Sequence, residues 1–222
     1  MERYDIDEHW QPATGPERLA GLADGIFSVA LTLAVVEILP PELGHRLHTE
    51  GAAKVLAEIG PNLTWIFVNF MIVSQYWIAH HRTLAYVRRV NRSFIMANMY
   101  FLMLITVIPF ALKVFFSDHS FVSVAFYSGC MALVGLSTVG IWHSAVKNRL
   151  VDADLDPRVV RYGYVRGSIG AVIFLLAIPA AAINLYLASF VFLLLFLHRP
   201  IAERITGGRP SGDAGTAKAP TA

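Results

Sequence analysis

The feature that most constrains this chain is an apolar run from Leu19 to Leu39, which carries a single acid, Asp24, near its start and an arginine, Arg18, just outside it. About 20 apolar residues suffice to cross a bilayer as a helix. A carboxylate inside such a run is expensive, so it marks a position where the protein needs one. The composition points the same way: 55% hydrophobic residues, 15% charged residues and a mean hydropathy of +0.53 are too apolar for a water-soluble domain of 222 residues. The expected fold is all-α and polytopic.

Four further apolar stretches can be read: Ile59 to Ala79, Phe94 to Val114, Phe121 to Trp142, and a block from Tyr164 to His198 that is too long for one crossing. A break in that block is expected between Pro179 and Asn184, because proline removes a backbone bond and asparagine favours helix ends. The basic residues choose between five spans and six. With six spans from a cytoplasmic N-terminus, 15 of the 18 Lys and Arg fall inside, leaving Arg46, Lys54 and Lys113 outside. That bias is what the positive-inside rule requires, whereas five spans would export the four bases of the C-terminal tail. The expected organisation is therefore a cytoplasmic segment 1–17, a six-span unit 18–200 without internal repeats, and a disordered cytoplasmic tail 201–222. The segment Pro40 to Glu58 is expected to form a short amphipathic helix on the outer surface.

Several functions are disfavoured. The net charge is only +2 and the bases are scattered, which argues against a nucleic-acid partner. The single cysteine, Cys130, allows neither a disulfide framework nor a cysteine metal site. The N-terminal residues are mixed in charge and lack a cleavage signal. No nucleophile pattern supports hydrolysis. The stretch Thr138-Val139-Gly140-Ile141 matches the start of a potassium filter loop, but it lies in a continuous apolar run and is read as helix.

Two groupings could carry chemistry. On the first helix, Asp24, Ser28 and Thr32 form one face, with Val29, Leu33 and Val36 roughly opposite. An aliphatic face of this kind either meets lipid or lines a narrow pore. In the six-span topology, Arg18, Asp24, His80, His81, Arg82 and Asn98 also lie at one depth, where a shared hydrogen-bond and charge network would offset their burial. Adjacent histidines point about 100° apart on a helix, which disfavours a metal site.

The residues also resemble a known family. Arg18 followed by Leu22-Ala23-Asp24, then Thr32 and the Glu37 to Pro40 exit, Trp77-Ile78-Ala79-His80-His81, Asn91, Asn98 and Pro109-Phe110 at the end of the third span are together similar to the transmembrane protein 175 family of potassium channels. The family signature has Phe-Ser before the aspartate, and this chain has Leu22 and Ala23 there. The resemblance implies a homotetramer of six-span subunits with four copies of the first helix around the pore. It also implies rings of Val29, Leu33 and Val36 at the constriction, Thr32 as a nearby polar position, and Arg18, Asp24, Trp77, His80, His81 and Asn98 as a structural network. The expectation is a potassium-preferring cation channel in a bacterial plasma membrane. Potassium is then the permeant ion, membrane lipid surrounds the subunits, and no catalytic role or resident cofactor is expected. The alternatives are a proton-coupled secondary transporter, motivated by Asp24 near His80 and His81, and an intramembrane metal-dependent enzyme.

Overall fold

The computed structural model describes residues 15–38, 42–118 and 120–206. Segment 1–14, the Leu39-Pro40 end of the first run and the tail 207–222 lie outside the described residues. The elements are α1 (Pro16–Ile38), α2 (Leu43–Glu50), α3 (Ala52–Ala85), α4 (Arg92–Asp118), α5 (Phe121–Lys147), α6 (Pro157–Ile183), α7 (Leu185–Leu193), a 3-10 turn (Leu194–Leu197) and α8 (His198–Thr206). Among the described residues, five helices are long and apolar enough to cross a membrane: α1, α3, α4, α5 and α6.

Their boundaries reflect local chemistry. Asn91 caps α4, its side-chain oxygen accepting from the Phe94 amide at 2.8 Å. Ser120 and Ser123 form a reciprocal capping box at the start of α5, and Asp156 accepts from the Arg158 amide at 2.7 Å ahead of Pro157 at the start of α6. Such caps satisfy the amides that a helix start leaves without partners. Pro61, Pro109 and Pro179 all sit inside helices. Pro109 therefore does not end the third span: α4 continues to Asp118. One lost bond is tolerated where neighbouring helices support the backbone.

The block from Tyr164 to His198 breaks at Asn184, within the expected window, where the backbone is extended (φ −160°, ψ 130°). Beyond the break the chain does not form one long helix. α7 passes into the 3-10 turn and then α8, which runs to Thr206, six residues into the segment 201–222. Leu185 to Leu197 is nonetheless apolar except for Tyr186 and Ser189, and Ala188, Phe192 and Leu195 are buried. Phe192 enters an aromatic cluster with Trp65, Tyr127 and Phe174 at centroid separations of 5.5–6.4 Å. Each such pair contributes about 0.5–1.5 kcal/mol beyond burial.

α1 packs between α3 and α4, α4 against α5, and α5 against α6, with α7 and α8 folded back onto α6. Lipid tails are as apolar as leucine, so close packing and polar contacts hold such helices together. Gly135 lets α5 touch α6: a β-carbon there would meet the Ala171 backbone nitrogen at 2.9 Å. Tyr127 donates to the Asn69 side-chain oxygen at 2.9 Å, both groups being buried. At one end of the bundle the loops 86–91 and 148–156 are stitched together by the Arg88 amide to Leu150 carbonyl bond (2.8 Å) and by Arg88 on Asp152 (3.0 Å). At the other end α2 is pinned to α3 by Arg46, which bridges Glu50 (2.8 Å) and Glu58 (2.6 Å), while Lys54 approaches Glu50 at 3.1 Å. The amphipathic helix expected over Pro40 to Glu58 is α2 plus the first turns of α3, divided at Gly51, whose φ of 86° favours glycine. The Thr138–Ile141 stretch is ordinary helix within α5.

Candidate functional site

The site begins with the face that α1 keeps for the bundle. Leu19, Ala23, Phe27, Ala30 and Ala34 are buried, and at about 100° per residue the last four fall on one narrow strip. Alanine allows close approach to α3 and α4, and Phe27 fills the remaining space against Phe101 at 5.9 Å. Ala20, Ile26, Leu31 and Ile38 are half-buried at the edges of that strip, packed against the core. Gly21, Asp24, Gly25, Ser28 and Thr32 are exposed, as are Val29 at 56%, Leu33 at 45% and Val36 at 68%.

This corrects the expected geometry. The polar and aliphatic stripes are not on opposite faces, with one of them packed inside. They lie side by side, about 100° apart, both directed away from the subunit's own core. The alanine strip is the true inner face; it is hard to see in the sequence because alanine is apolar but small. Ala23, which stands where the family has serine, belongs to that strip and is fully buried, while Leu22 is exposed.

Asp24 is anchored from α3. Its Oδ1 accepts from the indole Nε1 of Trp77 at 2.7 Å and faces His81 Nε2 at 2.8 Å. Trp77 and His81 are four residues apart, one turn along the same helix face, and their rings lie 4.5 Å apart. The carboxylate still keeps 52% of its side-chain exposure. It is held from one side and open on the other.

His80 turns elsewhere. It is buried, its Nε2 lies 2.8 Å from Asn98 Oδ1, and its ring stacks on Phe101 at 5.1 Å with a 9° interplanar angle. Asn98 Nδ2 donates to the Phe94 carbonyl at 2.7 Å. That bond orients the Asn98 oxygen toward His80, so His80 Nε2 donates to it. Nδ1 is buried without a hydrogen-bond partner among the described residues.

Within the expected network Trp77 and His81 serve α1 and His80 serves α4, with the two imidazole rings 6.1 Å apart edge to face. Adjacent residues on a helix diverge by about 100°, which is why the histidines separate. Arg18 sits exposed in the first turn of α1, and Arg82 lies one residue beyond His81, lining a cleft between α3, α5 and α6. Thr32 donates back to its own helix, at 3.0 Å to the Ser28 and Val29 carbonyls. The stacking of Phe101 on His80 was not read from the sequence; an aromatic one turn after Asn98 on the same face was the available signal.

Residues 18–109, which run from Arg18 to Pro109, match the model of the family described as endosomal/lysosomal potassium channel TMEM175. A protein of Chamaesiphon minutus named as a potassium channel is 28% identical over 194 residues, covering 85% of this chain and 94% of that one. One of Streptomyces collinus, also named as a potassium channel, is 27% identical over 190 residues, covering 81% and 89%. The fold matches the crystal structure of a TMEM175 homolog from Chamaesiphon minutus, described as a lysosomal potassium-selective channel, with a TM-score of 0.70, 23% identity, and coverage of 84% of this chain and 97% of that one. The chain is thus a multi-pass membrane protein similar to the TMEM175 family over α1, α3 and most of α4.

Proposed function

We propose that this chain is a potassium-preferring cation channel in which four copies assemble with α1 innermost. One observation carries the reading: the exposed face of α1 mixes Asp24, Ser28 and Thr32 with Val29, Leu33 and Val36. A lipid-facing helix gains nothing from a carboxylate and two hydroxyls, whereas a water-filled axis flanked by neighbouring copies accommodates them. In this reading Val29, Leu33 and Val36 form aliphatic rings that control conduction by wetting, and Thr32 supplies a polar step between rings. Asp24, held by Trp77 and His81, sets the orientation of α1, with Arg18, His80 and Asn98 supporting the same end. The preference for potassium is taken from the names of the bacterial relatives.

The topology goes with this assignment. The loops 86–91, with Arg88 and Arg89, and 148–156, with Arg149 and flanked by Lys147 and Arg158, meet at one end of the bundle, and the start of α1 lies at the same end through the Asp24 contacts. We place that end in the cytoplasm of a bacterial plasma membrane, with the apolar Leu185 to Leu197 segment as the sixth crossing and both termini inside. The experiment is a planar-bilayer recording of purified protein with potassium and sodium on opposite sides. A reversal potential displaced toward potassium is expected; absence of any passive current overturns the channel. The Asp24 to His81 contact favours a second reading, a proton-coupled carrier, in which uptake saturates and depends on a pH gradient rather than on potassium alone.

A further inference from the structure

We infer that the cleft between α3, α5 and α6 binds a neutral, planar ring carrying carbonyl oxygens, the headgroup of a membrane quinone, which enters from the bilayer. The cleft has a volume of about 110 Å³. An apolar cavity of about 150 Å³ takes up benzene, so a partly open space of this size accommodates one ring with its substituents at the mouth. The lining is mostly apolar. Arg82 and Arg166 belong to it, but each already makes an interaction of its own. Recognition is therefore assigned to the uncharged groups, and they suit an uncharged ligand.

One of those groups lacks its partner. Tyr162 is only 5% exposed, and its hydroxyl has no hydrogen-bond partner among the described residues. Three other hydroxyls of the lining differ: Tyr76 donates to the Met131 carbonyl at 3.3 Å, Thr83 to Ala79 at 3.1 Å and Thr138 to Gly135 at 2.7 Å. A buried hydroxyl left unpaired is costly, and a carbonyl oxygen in the cleft would satisfy it. Gln75, half-buried in the same lining, supplies an amide that also donates. It lies ten residues before Ala85, the last of α3, and Tyr162 lies five after Pro157, the first of α6. At the helical rise these are depths of about 15 Å and about 8 Å. The two helix ends are level, since the adjoining loops pair at Val87 and Val151. Two donors thus stand about 7 Å apart in depth, an interval spanned by a ring whose opposed carbonyl oxygens each accept one bond of about 2.8 Å.

The walls are built for a flat ligand. Gly163, Gly167 and Gly170 recur at four and three residues along α6, so neighbouring side chains come close to that helix. A β-carbon at Gly163 would lie 2.5 Å from the Trp142 indole nitrogen, and one at Gly170 3.2 Å from the Tyr76 hydroxyl. The indole is fixed by its own bond to the Val160 carbonyl at 3.0 Å. Fixed aromatic walls select a planar ring over a flexible acyl ester, because a ring stacks on them and loses less freedom on entering.

Leu195 and Phe196 of the 3-10 turn complete the lining, with Phe196 half exposed. A tail leaving past Phe196 follows the apolar 185–197 segment and stays in hydrocarbon. Both donors lie at membrane depth, which is why the ligand is assigned to the bilayer rather than to solution.

The test needs no assumption about conduction. Full-length protein in detergent is titrated with tetramethyl-para-benzoquinone, with tetramethylbenzene as the same ring without carbonyls, and with dioctanoylglycerol as a flexible carbonyl lipid. Thermal unfolding follows all three, and saturable quenching of tryptophan fluorescence follows the quinone. The quinone ring is fully substituted, so the Cys130 thiol has no open ring carbon to add to. The quinone is expected to raise the unfolding temperature and to quench saturably, with the other two at least severalfold weaker. Tyr162→Phe and Gln75→Leu should each weaken quinone binding about fivefold, the scale of one neutral hydrogen bond. Tyr162→Phe keeps the ring and so decides the matter should Gln75→Leu fold poorly. Tyr164→Phe, which loses a hydroxyl that meets His143 at 3.0 Å outside this lining, should bind like the parent. No saturable binding, or a parent-like affinity in Tyr162→Phe, would overturn the site. Equal stabilisation by tetramethylbenzene would overturn recognition of the carbonyls, and equal stabilisation by dioctanoylglycerol would overturn the planar ring.

Discussion

Two outward faces of this subunit, those of α1 and α6, are equally accessible and chemically unlike. On α6, from Ala171 to Ile183, every exposed residue is apolar: Val172, Leu175, Leu176, Pro179, Ala182 and Ile183. On α1 the exposed face interleaves Asp24, Ser28 and Thr32 with Val29, Leu33 and Val36. Exposure in an isolated membrane subunit does not distinguish lipid from water or a second copy. The residue types do, because hydrocarbon cannot satisfy a carboxylate and water can. The α6 face is what lipid selects; in the proposed assembly, the α1 face is what an aqueous axis between copies selects.

The largest effect should come from Asp24→Ala, which removes the acceptor shared by Trp77 and His81. Hydrogen bonds to a charged group contribute about 1.5–3 kcal/mol, and the half-exposure of this carboxylate places the loss toward the lower figure. Tetramer yield or current should fall about tenfold or more. Size-exclusion profiles and bilayer currents measure this, and parent-like values of both would remove Asp24 from the account of α1.

Next in size is a paired substitution. Leu33→Asn adds a polar ring to a dewetting constriction, so conductance should rise severalfold and discrimination between potassium and sodium should weaken. Leu175→Asn, on the α6 face, should instead reduce the yield of folded protein and leave selectivity untouched, since it places an amide in hydrocarbon. If single-channel recordings found the two variants indistinguishable, the comparison between the faces would be lost.

A smaller effect sharpens the contrast from within the scaffold. Gly135→Val crowds the Ala171 backbone and should cost about 1–3 kcal/mol of stability, the usual range for overpacking. The reversal potential of the surviving channels should not move. A lowered unfolding temperature with normal selectivity is expected, and altered selectivity would mean that the α5–α6 contact reaches the pore.

The smallest effect lies on α2, beyond both faces. The Arg46 and Lys54 hydrogen bonds lower the Glu50 carboxyl from 4.5 to about 2. A carboxyl lowered on folding contributes stability above its unfolded value and loses it as pH falls through the folded value. Between pH 4.5 and 2 the attachment of α2 should therefore weaken, only slightly, because the pairs are exposed to solvent. Hydrogen exchange over Leu43 to Glu50, compared with Glu50→Gln, reads this; a variant with the same pH dependence as the parent would assign it to another group.

Much of the fold was legible because bilayer thickness imposes its own length scale. Runs of about 20 apolar residues located the five helices long and apolar enough to cross a membrane, Asn184 marked the break, and Asn91 stood at a helix start where its short amide side chain can cap. The proximity of Asp24 to His81 was legible through topology, since alternating crossings bring the start of the first span beside the end of the second. The form of that contact was not. The sequence placed His80 and His81 in one network, and the structure sends them to different helices. The division of the apolar stretch beyond Asn184 among α7, the 3-10 turn and α8 was not legible, because its composition is uniform across them.

By itself, then, the sequence determined that this chain lives in a membrane, roughly where it crosses, and that a carboxylate had to be accommodated near the start of its first helix. These come from hydrophobicity and length, which are sums over residues and need no partner. Only the tertiary structure decided which strip of α1 is inner, because alanine declares its role through the neighbour that approaches it. It alone brought Gln75 and Tyr162, far apart in the chain, to one cleft, because three glycines on α6 make room only for side chains that another helix supplies.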